Sequence, residues 1–312
     1  MRYITLGRTD AKVSELCLGA MYFGTTTPKD MSERLLDKFV DAGGNFVDTA
    51  NIYATWRGKG GESETLIGHW MQARKNRSRI FLATKVGFDM PDGDGLSAQQ
   101  IIFQAENSLN RLGTETIDLY YAHRDDRTVP LEETLEAFSR LVQAGKVRYV
   151  AGSNYRPWRL MKALGISRLH DWPQFQAIQQ RHTFLRPLPE ARFAGGHQVV
   201  LDNDLNMLCL EEDVTIFAYS TLLGGAYTRP DRSMDEYITP VNQQRRKRLE
   251  DTATSLNLSV NTLILAWMLQ STPPAYPVIA ASTEEQLTEN LAAVDVALSA
   301  DQMVQLDQGL PA

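Results

Sequence analysis

Short apolar runs and longer amphipathic stretches take turns along almost the whole chain. That alternation limits the architectures open to it more than any other feature. The runs ELCLGA (15–20), NFVDTA (45–50), RIFLATKV (79–86), IDLYYAH (117–123), VRYVAGS (147–153), FQAIQ (175–179), VTIFAYS (214–220) and YPVIAAS (276–282) are rich in β-branched and aromatic residues and too short for helices. Between them, MSERLLDKFVDAG (31–43), SETLIGHWMQARK (63–75), SAQQIIFQAENSLNRLG (97–113) and LEETLEAFSRLVQAG (131–145) carry apolar residues at helical spacing. Gly43, Gly113 and Gly145 stand where helices stop, and LSAQQ and TPKDMSE offer Ser, Thr or Asp caps at helix starts. Strands alternating with helices in this way over 312 residues predict an α/β fold, a parallel (β/α)8 barrel. The segment YITLGRTDAKVSEL breaks the pattern, and its two short alternating runs around GRTD predict an N-terminal β-hairpin ahead of the barrel. No Pro/Gly/Ser-rich linker divides the chain, so residues 1–312 are expected to form a single barrel domain.

A doubly wound sheet is the competing architecture. It requires G-x-G-x-x-G directly after the first strand. The glycine cluster RGKGGES (57–63) follows the second strand and lacks that spacing, so it reads as a loop entering a helix near Glu62–Ser63. A hydrophobic content of 43% with 22% charged residues is globular. A net charge of −6 argues against nucleic acid as a partner. No apolar run approaches the roughly 20 residues that span a bilayer, and MRYITLGRTD lacks the apolar stretch of a secretory signal. The expected location is the cytoplasm, with Cys17 and Cys209 as reduced core residues. The basic run RRKR (Arg245–Arg248) is expected to be a solvated helix face.

In a parallel barrel the C-terminal ends of the strands open into the functional mouth. The second strand ends in Asp48, the third delivers Lys85 and the fourth ends in His123, with Tyr53 just after the second. Each alone has an ordinary structural explanation, but a carboxylate, an ammonium, an imidazole and a phenol on adjacent strands point to a site. A free tyrosine ionises near ~10, and a neighbouring Lys⁺ is expected to lower that value, with Asp48 balancing the lysine. His123 is then free to hydrogen-bond a carbonyl oxygen. Such a set donates a proton to a developing oxyanion. The histidines show no paired metal-ligand spacing, so no metal is expected, and no GxSxG elbow appears.

With these residues in view, the sequence resembles the aldo-keto reductase superfamily over nearly its whole length. The likeness is carried by LGAMYFG (18–24), DTANIY (48–53), GESETLIG (61–68), the TKV around Lys85, IDLYYAH, GKVRYVAGSNY (145–155) and EEQLTEN (284–290). The resemblance implies a nicotinamide-dependent carbonyl reductase in which Tyr53 is the general acid, Lys85 and Asp48 tune it, and His123 orients the substrate carbonyl. It further implies that Ser153, Asn154 and Gln179 hold the nicotinamide carboxamide and that Tyr219 stacks on the ring. Ser220, Leu222 and Gly224 would follow the pyrophosphate, and Ala280, Ser282, Gln286, Glu289 and Asn290 would lie around the adenosine end.

The implied cofactor is NADP(H) first, with NAD(H) possible. Where many NADPH-dependent members carry basic residues, this chain has Ala280, Ser282 and Gln286, with Glu284 and Glu285 nearby; Ser282, Thr283 or Arg229 would have to meet a 2′-phosphate. Arg124 either meets an anionic substrate group or pairs at the surface with Asp125, Asp126 or Glu132. Phe23, Trp56, Phe88 and Tyr155 are candidates for the substrate pocket. The substrate implied is a small carbonyl compound, sugar-derived or otherwise. Two alternatives stay open at this stage: an NAD(P)-linked sugar or alcohol dehydrogenase using the same groups in reverse, and a cofactor-binding regulatory subunit with little turnover.

Overall fold

The computed structural model describes residues 1–193 and 196–308. Strands β1 (Tyr3–Thr5) and β2 (Lys12–Ser14) form the antiparallel hairpin, with Tyr3 opposite Ser14. Then β3 (Cys17–Gly19), β4 (Phe46–Asp48), β5 (Phe81–Val86), β6 (Ile117–Ala122), β7 (Val147–Ser153), β8 (Phe175–Arg181), β9 (Thr215–Tyr219) and β10 (Tyr276–Ile279) pair in sequence order, all parallel, and β10 returns to β3 to close the barrel. Each of the eight apolar runs is therefore a barrel strand. A closed parallel sheet leaves no edge unpaired and buries both faces, which is why its strands read as continuous apolar runs rather than alternating ones.

Among the described residues ten α-helices follow the strands: α1 (Lys29–Asp41), α2 (Glu62–Arg74), α3 (Ala98–Leu112), α4 (Leu131–Gln143), α5 (Pro157–Leu169), α6 (Asn203–Glu211), α7 (Pro240–Ser255), α8 (Val260–Gln270), α9 (Glu284–Leu291) and α10 (Ala300–Asp307). Gly43, Gly113 and Gly145 sit just past helix ends at φ of 84°, 61° and 72°, a region that costs other residues strain. Ser97 caps α3 by accepting from Gln100 N. The start of α1 differs from expectation. Its N-cap is Pro28, without a side-chain cap, and the Ser32 hydroxyl instead donates back to the Thr27 and Pro28 carbonyls.

Two apolar layers hold the molecule together. The larger lies between barrel and helices and includes Leu18, Val47, Trp70, Phe138 and Ile264. The smaller fills the barrel interior, where Phe46 meets Phe81 and Phe217 edge-on, with ring centroids 5.2 and 4.9 Å away. Leu6, Ala11 and Val13 of the hairpin pack into that inner layer and seal the N-terminal end. The basic run also departs from expectation. Arg245, on α7, is fully buried over the Phe184 ring and donates to the carbonyls of Phe184 and Gln308. Only Arg246 and Lys247 make the surface pairs expected of a solvated face, with Glu250 and Asp251. Among the described residues, no single helix is long and apolar enough to cross a membrane.

Candidate active site

Asp48 ends β4, Lys85 lies one residue before the end of β5, and His123 follows β6 directly, so neighbouring strands bring all three to one rim. Lys85 and Asp48 are buried at 0% and 1% exposure. The Lys85 ammonium donates to Asp48 Oδ1, to the Thr49 carbonyl at 2.8 Å and to the Tyr53 hydroxyl at 3.0 Å. Three donors thus meet three acceptors. The other Asp48 oxygen accepts from Gln179 Nε2 at 3.0 Å. A buried carboxylate that would be costly alone is therefore fully partnered.

The charges follow from this packing. Burial alone would discharge Lys85, but Asp48 and Tyr53 outweigh it and hold the ammonium above the ordinary lysine value. Tyr53 goes the other way from the sequence expectation. Removal from water outweighs the attraction of Lys85, and Asp48 behind the lysine cancels part of that attraction, so the phenol is raised above its ordinary value. At neutral pH Tyr53 is a phenol hydrogen-bonded to an ammonium. Burial, then Lys85 and Arg124, hold His123 well below the ordinary histidine value, so the imidazole is neutral. Its Nδ1 is buried without a partner. The ring stands edge-on to Tyr53 and Phe88, at 5.9 and 4.6 Å between centroids.

The residues named for a cofactor are gathered at the same end. Ser153 Oγ donates to the Gln179 carbonyl at 2.9 Å. Asn154 is held by its backbone N–H on Gln180 Oε1 at 2.6 Å. Its side-chain amide donates to the His123 carbonyl and to Ser153 Oγ, and its oxygen accepts from the Tyr219 hydroxyl at 2.8 Å and from Val199 N at 3.2 Å. Ser220, Leu223 and Gly224 adopt positive φ, turning the backbone sharply after β9 beside Leu222. At the end of β10, Gln286 Oε1 accepts from Ser282 N, and Thr283 caps α9. Asn290 is buried and holds the Ala280 carbonyl at 3.0 Å, while Glu289 accepts from Asn261 on α8. Arg229 is paired with Asp231 at 2.7 Å and Glu284 with Arg34 at 3.0 Å.

The substrate-pocket candidates divide. Phe88 packs on His123 at the mouth, and Trp56, 47% exposed, meets Tyr22 edge-on at the rim. Phe23 and Tyr155 do not belong there. Phe23 lies within the outer apolar layer, and Tyr155 is fully buried against Phe175, because each points from its loop into the helix–barrel interface. Arg124 pairs with neither Asp125, Asp126 nor Glu132. Its guanidinium lies 5.2 Å from the Phe88 centroid and reaches Asp89 and Asp94 at 3.5 and 3.8 Å and His197 Nε2 at 3.3 Å. Asp125 is engaged by Arg159 and Arg127, and Asp126 by Leu96 N and Thr128.

Several supporting residues escaped the sequence reading. The Tyr53 loop closes through Gly61 N donating to the Tyr53 carbonyl, and beneath it a buried Glu64 takes Thr84 and Arg111. Glu64 reads in sequence as an acidic residue in a helix first turn, so only burial reveals its role. Arg181 had a visible signal: it lies two residues beyond Gln179 on one strand and so shares its face.

Comparison with known proteins follows the same lines. A sequence model described as the aldo/keto reductase family matches residues 15–310. An uncharacterized oxidoreductase, YrpG, from Bacillus subtilis is 32% identical, with 100% of this chain and 96% of that protein covered. Norsolorinic acid reductase B from Dothistroma septosporum is 30% identical over 100% of this chain and 82% of its own. An aryl-alcohol dehydrogenase [NADP(+)] from Phanerodontia chrysosporium is 28% identical over 96% and 83%.

Proposed function

The chain belongs to the aldo/keto reductase family and is an oxidoreductase, and from that premise we propose that it reduces small aldehydes or ketones, aromatic ones foremost, with NADP(H) as hydride source and Tyr53 as proton donor. One observation carries the reading: a buried, charge-balanced ammonium hydrogen-bonded to a phenol, beside a neutral histidine with an unpartnered nitrogen. A bound nicotinamide supplies the hydride. The chain's own residues supply the rest. His123 orients the carbonyl oxygen, Tyr53 gives its proton to that oxygen as charge develops, and Lys85 steadies the phenolate left behind. Asp48 and Gln179 keep Lys85 in place. Burial keeps Tyr53 protonated near neutrality, the form a proton donor needs.

The donor set suits a nicotinamide. Asn154 offers an amide, the complement of a carboxamide; its oxygen accepts from the Tyr219 hydroxyl and Val199 N. Tyr219 offers a flat face for the ring. NADP(H) is favoured, as in the name of the Phanerodontia relative. The aromatic rim of Phe88, Trp56 and Tyr22 supports aromatic substrates, in keeping with the aryl-alcohol name. The two cysteines, buried and unpaired, fit a reducing compartment, so the reading includes the cytoplasm.

Replacing Tyr53 by Phe is expected to abolish reduction of a panel of aromatic aldehydes and aldoses, by at least about a thousandfold in kcat, while leaving the Kd for NADPH within about twofold. Parallel assays with NADPH and NADH check the cofactor. Turnover that survives the substitution would sink the mechanism, and wild-type protein that binds NADPH yet reduces nothing in the panel would sink the activity.

A further inference from the structure

Arg181 is the last residue of β8, two beyond Gln179, so both side chains leave the strand toward the barrel interior. Gln179 reaches Asp48, and Arg181 stands one layer nearer the mouth, opposite Tyr219 in the β8–β9 register. Its guanidinium lies 4.0 Å from the Phe193 ring centroid and 5.9 Å from that of Tyr237. Nε donates to the Tyr237 hydroxyl at 3.0 Å, and Nη1 donates to Gln198 Oε1 at 2.8 Å and to Ser220 Oγ at 3.1 Å. All of these acceptors are neutral. Among the described residues no carboxylate lies within ion-pair distance of it, and Nη2 remains for another acceptor. A half-buried cation in an aromatic box ordinarily brings its own counter-charge. Arg229, which the sequence offered for the 2′-phosphate, is already paired with Asp231, and Arg34, on α1, is paired with Glu284.

We infer that Arg181 grips the pyrophosphate of the dinucleotide. The sequence had left that task to the neutral Ser220, Leu222 and Gly224, with Arg229 considered for the 2′-phosphate. The inference rests on the proposed function for the identity of the cofactor and goes beyond it in naming the residue that neutralises the cofactor's central charge. A guanidinium presents a planar fork to phosphate oxygens, and stacking on Phe193 fixes that fork before the ligand arrives. The backbone of Arg181 also pairs with Val199 and Leu201, and its side chain with Gln198. The residue assigned to the phosphate thus also borders the 196–201 segment, through its backbone and through Gln198.

The test is the affinity of the purified enzyme for NADPH, NADH and ADP-ribose, by calorimetry or tryptophan fluorescence, in wild type, Arg181→Met and Arg181→Gln. All three ligands carry the pyrophosphate, and loss of the charged contact is expected to raise all three Kd values by a similar factor, about 10- to 100-fold. Glutamine keeps polar contacts to Ser220 and Tyr237 without the charge, so the Gln variant is expected to show this loss at a nearly unchanged thermal midpoint. Weakening of NADPH alone would assign Arg181 to the 2′-phosphate and overturn the inference. So would a lowered midpoint with wild-type affinities, the mark of a purely structural residue. Wild-type enzyme that bound none of the three would overturn the proposed function as well.

Discussion

Tyr53 keeps its proton because burial outweighs the pull of Lys85, and the pH dependence of the enzyme follows from that balance. His123 is neutral because its ordinary value near ~6.5 is driven well down by burial and two cations. A depressed histidine gains no proton, and a raised tyrosine loses none, between the ordinary histidine value near ~6.5 and the ordinary tyrosine value near ~10. The kcat/KM for reduction is therefore expected to be flat across that window and to fall only above the ordinary tyrosine range. An inflection near neutrality in a steady-state pH series would show that one of these two groups titrates there. That Asp48, Lys85, His123 and Tyr53 meet at one rim was legible in the sequence because strand ends in a parallel barrel all point one way. Phe23 and Tyr155 were misread because loop aromatics carry no sequence mark that separates a mouth from a helix–barrel interface. The direction of the Tyr53 shift was misread for a related reason: a motif gives neighbours but not how much water they exclude.

The loop between β4 and α2 decides where Tyr53 stands, and its fixed point is Gly61. At φ +82° it caps α2 and donates to the Tyr53 carbonyl at 3.2 Å. A Cβ there would lie 2.4 Å from Arg111 Cδ and 2.5 Å from its Nε. Gly61→Ala must therefore push Arg111 away from Glu64, which it holds at 2.6 Å and which is fully buried. Breaking such a pair, with left-handed strain added, is expected to cost about 3 kcal/mol or more and to lower kcat as the loop shifts. Urea unfolding and a kcat measurement check both, and an unchanged midpoint would mean that Arg111 relocates freely. Helices were readable from periodicity because burial of one face imposes it, and barrel strands from continuous apolar runs because both faces are buried. The α7 basic run was not, because an arginine that buries its whole length over Phe184 has the same letter as one in water.

Across the whole molecule, buried histidines set the acid limit. His182 is stacked on Trp267 and held by burial at about 3, against the ordinary 6.5. Between those values the unfolded chain binds a proton that the folded protein refuses, so stability falls as pH drops through this window, by about 1.4 kcal/mol per unit for one such group. His123 adds to the slope in the same direction. His182→Gln is expected to reduce the pH slope of the urea midpoint below pH 6.5 by close to one proton, and parallel slopes for the two proteins would contradict the assignment. The barrel was legible because its strands alternate with helices along the chain, and the hairpin because it breaks that alternation. What the hairpin does was not legible, since only the fold carries Leu6, Ala11 and Val13 against Phe46, Phe81 and Phe217. That seal has a consequence for turnover. On the proposed mechanism, this apolar plug below Lys85 and Tyr53 leaves the open end as the route by which a spent phenolate would be rearmed, after the product alcohol has departed. On that mechanism the stopper at one end of the molecule would make proton supply and product exit share a single doorway.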